Sequence, residues 1–140
     1  MKLLILNGVN LNLTGKREQD VYGGETLEEI NAQLQAYAEQ HGYGIDCFQS
    51  NSEGELCSQI HGAEGQYDGI VLNAGAYTHY SLALRDAIAA VKVPVVEVHM
   101  SNVHAREEFR KKSVLTEVCK GEILGFGKNS YLLAMESFRL

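Results

Sequence analysis

The first residues able to do chemistry are Arg17 and Tyr22, five apart in the stretch GKREQDVYGGET (15–26). Few apolar residues surround that tyrosine, which raises a functional role beside the usual packing one. Used as a base, the ring has to lose its proton. An unperturbed phenol has a pKa of about 10, so an anionic tyrosine at pH 7 costs roughly 4 kcal/mol. A guanidinium about 4 Å away, at an effective dielectric near 20, returns about the same amount. One arginine balances the cost only if desolvation is slight, and two tip it. Arg17 on the same loop and Arg106 in NVHAREEFRKKS (102–113) are the suppliers. The competing reading is a lid or packing tyrosine.

A second group gathers behind the run VPVVEVH (93–99), which ends at His99. An imidazole with a pKa near 6.5 suits general acid or base work, although a histidine can also simply cap a strand. His99 and His104 are five apart, with Glu97 as the one carboxylate near them, a weak pattern for a metal; no metal is expected. His79, in NAGAYTHYS, serves equally well as a site residue or as a hydrogen-bonder at a helix start. Arg106 and Arg110 are four apart and would share one helical face, where they could grip an anion or hydroxyls. Lys111 and Lys112 read as a solvated face partnered by Glu107 and Glu108. Neither phosphate-loop spacing is present. NGVNLNLTG lacks G-x-G-x-x-G, and GFGKNS fails G-x-x-x-x-G-K-[ST].

These residues need elements to carry them. Apolar runs of strand length alternate with helical patterns, the signature of a parallel sheet covered on both faces. Strands are predicted at 2–7, 43–49, 69–73, 93–99 and 121–127. Thr26 with Glu29 and Ser52 with Glu55 form capping boxes ahead of Leu27, Ile30, Leu34 and Tyr37 and of Leu56, Ile60 and Ala63. Gly42 follows the end of the first helix. A third helix starts near Ser81 and runs through LALRDAIAAV, and a last one covers SYLLAMESF. One α/β domain over 1–140 accounts for the chain, a flavodoxin-like three-layer sandwich with a five-stranded parallel sheet. Ligands of such folds bind beyond the carboxyl ends of the strands, where strand order reverses. Strand one delivers Asn7, Asn10, Asn12, Arg17 and Tyr22, strand three Asn73 and His79, and strand four His99, Ser101, Asn102, His104, Arg106 and Arg110.

Composition excludes other classes. With 12 Lys and Arg against 18 Asp and Glu, the net charge is −6, whereas a nucleic-acid footprint needs a basic patch. No apolar run approaches the roughly 20 residues that span a bilayer, and the N-terminal MKLLILNGVN has no cleavage site for a leader, so a cytoplasmic protein is expected. Cys47, Cys57 and Cys119 are odd in number, without metal spacing, and read as reduced packing residues.

Four motifs in order, LILNGVNLNLTGKREQDVYG, VLNAGAYTHYSLALRDAI, VPVVEVHMSNVHAREEFRKKS and GFGKNSYLLA, cover nearly the full chain. Together they resemble the type II 3-dehydroquinate dehydratases of the shikimate and quinate pathways. The resemblance implies anti elimination of water from 3-dehydroquinate to give 3-dehydroshikimate, through an enolate and without metal or cofactor. It implies that Tyr22 removes the proton next to the ketone, that Arg17 keeps Tyr22 anionic and closes the lid, and that Asn12 holds a water that stabilises the enolate. By the same match His99 protonates the departing hydroxyl. Asn73, His79 and Arg110 bind ring hydroxyls, the amides of Met100 and Ser101 hold the carboxylate, and Asp86 reaches a neighbouring subunit's site. Arg106, Asn10 and Glu97 are expected to support these groups, and the resemblance implies self-association as a dodecamer, a tetramer of trimers.

The sequence departs from that family's usual pattern. Val9, Gln19 and Ala74 stand where proline is common, Thr14 where leucine is, and Tyr80 where a small hydroxyl residue is. Losing a compatible proline costs on the order of 0.4 to 1 kcal/mol, so a looser lid and weaker binding are expected, with the chemistry retained. The alternative is a non-enzymatic flavodoxin-like module that binds a small polyol or nucleotide; the appearance of a conjugated enone from 3-dehydroquinate separates the two.

Overall fold

The computed structural model describes residues 1–140. Five parallel strands, β1 (Lys2–Asn7), β2 (Gly44–Gln49), β3 (Gly69–Asn73), β4 (Val95–His99) and β5 (Gly121–Leu124), lie in the order β2-β1-β3-β4-β5. Every neighbouring pair is parallel. The helices are a single turn α1 (Gln19–Tyr22) and the longer α2 (Leu27–Gln40), α3 (Glu53–His61), α4 (Leu82–Ala90) and α5 (Asn129–Ser137).

Alternation along each strand divides the core. Leu3 and Ile5 of β1 join Ile30 and Leu34 of α2 and Tyr131 and Met135 of α5 on one face. Leu4 and Leu6 join Leu56 and Ile60 of α3 and Leu84 and Ile88 of α4 on the other. Both faces being covered, Leu3 through Asn7 are all buried, which is why β1 reads as a continuous apolar run. The predicted caps form at Thr26 and Ser52, whose hydroxyls accept from the N–H of Glu29 and Glu55, and Ser81, near the expected start of the third helix, accepts likewise from Leu84.

Strand order reverses between β1 and β3, and the register sets Asn7 beside Asn73. The two chains separate very close together there. A Cβ at Gly8 would come within 2.4 Å of the Ala74 carbonyl oxygen, and Gly75, at φ +63°, faces the Val9 carbonyl. Only glycine permits both approaches.

Some predicted bounds shift. Tyr43 precedes β2. β4 begins after Pro94, which has no N–H to give a ladder, although its carbonyl accepts from Ile70. β5 stops at Leu124 because Gly125 turns into the left-handed region at φ +95°. The segment after β4 is not the expected helix. It makes two 3-10 turns, Val103–Ala105 and Glu108–Lys111, with Arg106 extended between them.

Candidate active site

A cleft with about 140 Å³ of free space opens beyond the carboxyl ends of β1, β3 and β4. Asn10, Arg17, Tyr22, Asn73, His79, His99, Met100, Ser101, Arg106 and Arg110 all line it. The structure thus brings together ten of the side chains that sequence singled out. Arg106 and Arg110 both reach the cleft even though no helix aligns them.

Tyr22 is half-buried at the end of α1 and packs against the α2/α5 face of the core. Its hydroxyl oxygen accepts from Arg106 Nη1 at 2.7 Å and from Arg17 Nη2 at 3.3 Å. Both guanidinium carbons lie near the ring as well, at 5.2 and 5.0 Å from its centroid. The environment therefore supplies two positive charges at one phenol oxygen. It also supplies an opposing charge that sequence reading missed. Glu18 Oε2 lies 3.3 Å from Arg17 Nη2 and 3.4 Å from Arg106 Nη2. Glu18 adopts φ +41°, ψ +52°, a conformation uncommon outside glycine, while its carbonyl accepts from Val21 and Tyr22 at the start of α1. The acidic residue beside Arg17 was a visible signal; its reach to Arg106 was not.

His99 is buried at the end of β4, with Nε2 2.5 Å from Glu97 Oε2. That contact leaves Nδ1 for the cleft. Glu97 is 0% exposed, and a buried carboxylate needs several donors. It has them: Ser113 Oγ at 2.9 Å and Thr116 Oγ1 at 2.7 Å donate to Oε1. Burial alone would push the Glu97 carboxyl up, but the His99 imidazole, the Glu122 carboxyl and Thr116 together hold it below the usual range. Glu122, opposite Glu97 on β5, was overlooked in sequence because register between strands is not written in either one. One side-chain nitrogen or oxygen from each of Glu97, His99 and Glu122 lies within 4.8 Å of the other two.

The remaining wall is fixed from behind. Tyr131 of α5 donates to Asn7 Oδ1 at 2.6 Å and accepts from Asn73 Nδ2 at 2.8 Å. Asn73 Oδ1 accepts from the Gly75 N–H at 3.2 Å, so one Nδ2 hydrogen is left for a ligand. His79 Nδ1 pairs with the Lys112 carbonyl at 2.7 Å and its ring meets Phe109 edge-on. Arg110 Nε donates to Glu107 at 3.2 Å, and Ser101 Oγ accepts from Arg106 at 3.3 Å. The N–H groups of Met100 and Ser101 engage no backbone carbonyl, which leaves them available to an anion. Asn51, from the loop after β2, accepts from the Asn10 N–H and, through its carbonyl, from the Tyr77 hydroxyl.

Two expected site residues stand elsewhere. Asn12 is exposed on the 3-10 turn Leu11–Leu13, and Asp86 is exposed on α4; neither lines this cleft. The cysteines are free, and burial pushes the Cys47 and Cys119 thiols up to about 11 and 12. No helix is long and apolar enough to cross a membrane.

The family model described as dehydroquinase class II matches residues 1–139. A protein of Desulforudis audaxviator named 3-dehydroquinate dehydratase is 54% identical over 137 residues, 98% of this chain and 91% of its own length. One of the same name from Halalkalibacterium halodurans is 56% identical over 133 residues, covering 95% and 92%. The crystal structure of a type II dehydroquinase from Butyrivibrio crossotus superposes with a TM-score of 0.98 at 44% identity, covering 100% of this chain and 98% of that one.

Proposed function

The chain belongs to the class II dehydroquinase family, and from that membership we propose that it is a lyase converting 3-dehydroquinate to 3-dehydroshikimate by anti elimination of water through an enolate. The observation that carries the mechanism is the Tyr22 oxygen held between two guanidinium groups in the cleft that His99 also lines. Tyr22 acts as the base. As the phenolate, with the two guanidinium groups as its counter-charge, it takes the proton from the carbon next to the ketone and leaves an enolate. Arg17 and Arg106 then remain beside a neutral phenol.

His99 is the acid. With Nε2 anchored on Glu97, its Nδ1 proton passes to the departing hydroxyl, which leaves as water. The buried Glu97 carboxylate fixes the ring's orientation and steadies the charged imidazole, the usual work of a carboxylate behind a histidine. The free N–H groups of Met100 and Ser101 suit the substrate carboxylate, and Asn73, His79 and Arg110 suit ring hydroxyls. Asn12 can hold the water that stabilises the enolate only if its side chain turns from the exposed side of its 3-10 turn into the cleft. Asp86, exposed on α4, contributes through a second copy of the chain, in a dodecamer built from trimers. The protein works in the cytoplasm, in the shikimate or quinate pathway, needs no cofactor or metal, and binds neither nucleic acid nor membrane.

The test is to mix purified protein with 3-dehydroquinate and follow the ultraviolet absorbance of the conjugated enone. Turnover is expected, and Tyr22→Phe abolishes it while leaving substrate binding roughly intact. Absence of the enone at high protein concentration would return the chain to a binding module. Sedimentation of the protein tests the assembly.

A further inference from the structure

Glu122 has no part in the chemistry outlined above, yet its position is unusual. It stands directly across β4–β5 from Glu97 in the parallel ladder, so the two carboxyl groups emerge side by side on one face of the sheet. Glu122 Oε2 lies 3.7 Å from His99 Nε2, the nitrogen already bound to Glu97. Two carboxylates at this spacing resist being ionised together, and the two are differently placed to hold charge. Glu97 has no exposed surface and takes donors from His99, Ser113 and Thr116. The Glu122 side chain, on the edge strand, keeps 24% of its surface in water.

We propose that Glu122 is a charge-setting residue for the acid: paired with Glu97 across the ladder, it faces His99 either as a neutral carboxyl or as a second carboxylate, and in the second state makes the imidazole hold its proton more tightly. This rests on reading His99 as the acid. Protonated, Glu122 leaves one negative charge facing the imidazole. Ionised, it adds a second at 3.7 Å. The proton it loses goes to bulk water through its exposed edge, and no other bond changes. The surroundings agree. Burial, followed by the adjoining Glu97 carboxyl, pushes Glu122 up to about 7. The groups facing it are Glu97 and His99 from β4 and Thr116 and Cys119 from the segment before β5. The Cys119 thiol, pushed up to about 12, adds no charge near neutrality, and the sole ion-pair partner of Glu122 is His99. Once ionised, Glu122 would thus meet His99 as its one cationic neighbour, with the Thr116 hydroxyl as the other donor at hand.

The magnitude sets what to look for. At this separation even water-like screening leaves an interaction equivalent to about one pH unit, and weaker screening more. The experiment compares the parent with Glu122→Gln in two readouts. The first is the pH dependence of kcat from pH 5 to 10, by enone absorbance. The second is the NMR titration of the His99 ring, assigned with His99→Asn, which does not depend on turnover. In Glu122→Gln both the alkaline fall of kcat and the ring's midpoint are expected about one unit or more lower. An unmoved ring midpoint overturns the proposal, whatever the kinetics do. A lowered midpoint with an unmoved kcat profile upholds the charge coupling and instead removes His99 from the role of acid. If exhaustive chelation gives the parent the titration of Glu122→Gln, a bound cation rather than a proton governs the trio, and the proposal fails.

Discussion

Replacing Arg106 with methionine removes one of the two cations at Tyr22 while filling most of the same space. The size of the effect follows from the geometry. Arg106 makes the shorter contact, 2.7 Å against 3.3 Å for Arg17, and its side chain is 12% exposed against 32%. A unit charge about 4 Å from the phenolate, at an effective dielectric near 20, contributes about 4 kcal/mol. Glu18 touches both arginines and offsets part of this, so a net contribution of about 2 to 4 kcal/mol is expected from Arg106. Each 1.4 kcal/mol is tenfold in population. At pH 7 Arg106→Met should therefore lose roughly 30- to 1000-fold in kcat, and the loss should shrink about tenfold per pH unit as added base removes the proton that arginine no longer expels. Arg17→Met, with a longer and wetter contact, should lose less. Initial rates of enone formation between pH 6 and 10 decide it. If Arg106→Met raises KM with kcat intact, or lowers kcat equally at every pH, Arg106 binds substrate and does not hold the base in its anionic form.

Three other outcomes are expected. Tyr131→Phe strands Asn7 and Asn73 in the core, and buried groups without partners cost about 1 to 3 kcal/mol; chemical denaturation should show that loss together with a higher KM, and an unchanged KM would show that the pair does not shape the cleft. Gln19→Pro forces the preceding residue toward extended backbone, so Glu18 must leave φ +41° and release Arg17 and Arg106; a KM several-fold lower is expected, and an unaltered KM would deny Glu18 any hold on the cleft. For Glu122, raised from 4.5 to about 7 in the fold, the stability lent by the protonated form is complete below about pH 4.5 and is lost as pH rises to about 7. Glu122→Gln should accordingly gain in melting temperature over the parent between pH 5 and pH 8, and a difference that stays constant across that range would refute the sign.

Sequence disclosed the frame because burial on both faces of the sheet leaves continuous apolar runs, and because helix caps are local: Thr26 and Ser52 cap as expected. It also disclosed the cleft, since a parallel sheet gathers whatever follows β1, β3 and β4. What it withheld depends on side-chain direction and register. The helical face expected for Arg106 and Arg110 gave way to 3-10 turns, yet the two meet in the cleft because the turns wrap the strand ends. Asn12 carries a suitable side chain within two residues of Asn10, but the turn at Leu11–Leu13 aims it outward. The pairing of Glu97 with Glu122 exists only once β4 and β5 are aligned.

The tie from Tyr131 to Asn7 joins residues 124 positions apart. Contacts of such sequence separation form late in folding, after nearer ones have reduced the loop that must close. A chain that has assembled its sheet but not yet docked α5 therefore holds the strand ends without the brace that orients Asn73. Affinity for substrate should thus appear together with the final folding phase, and ligand added during refolding should favour only molecules in which that helix is already seated.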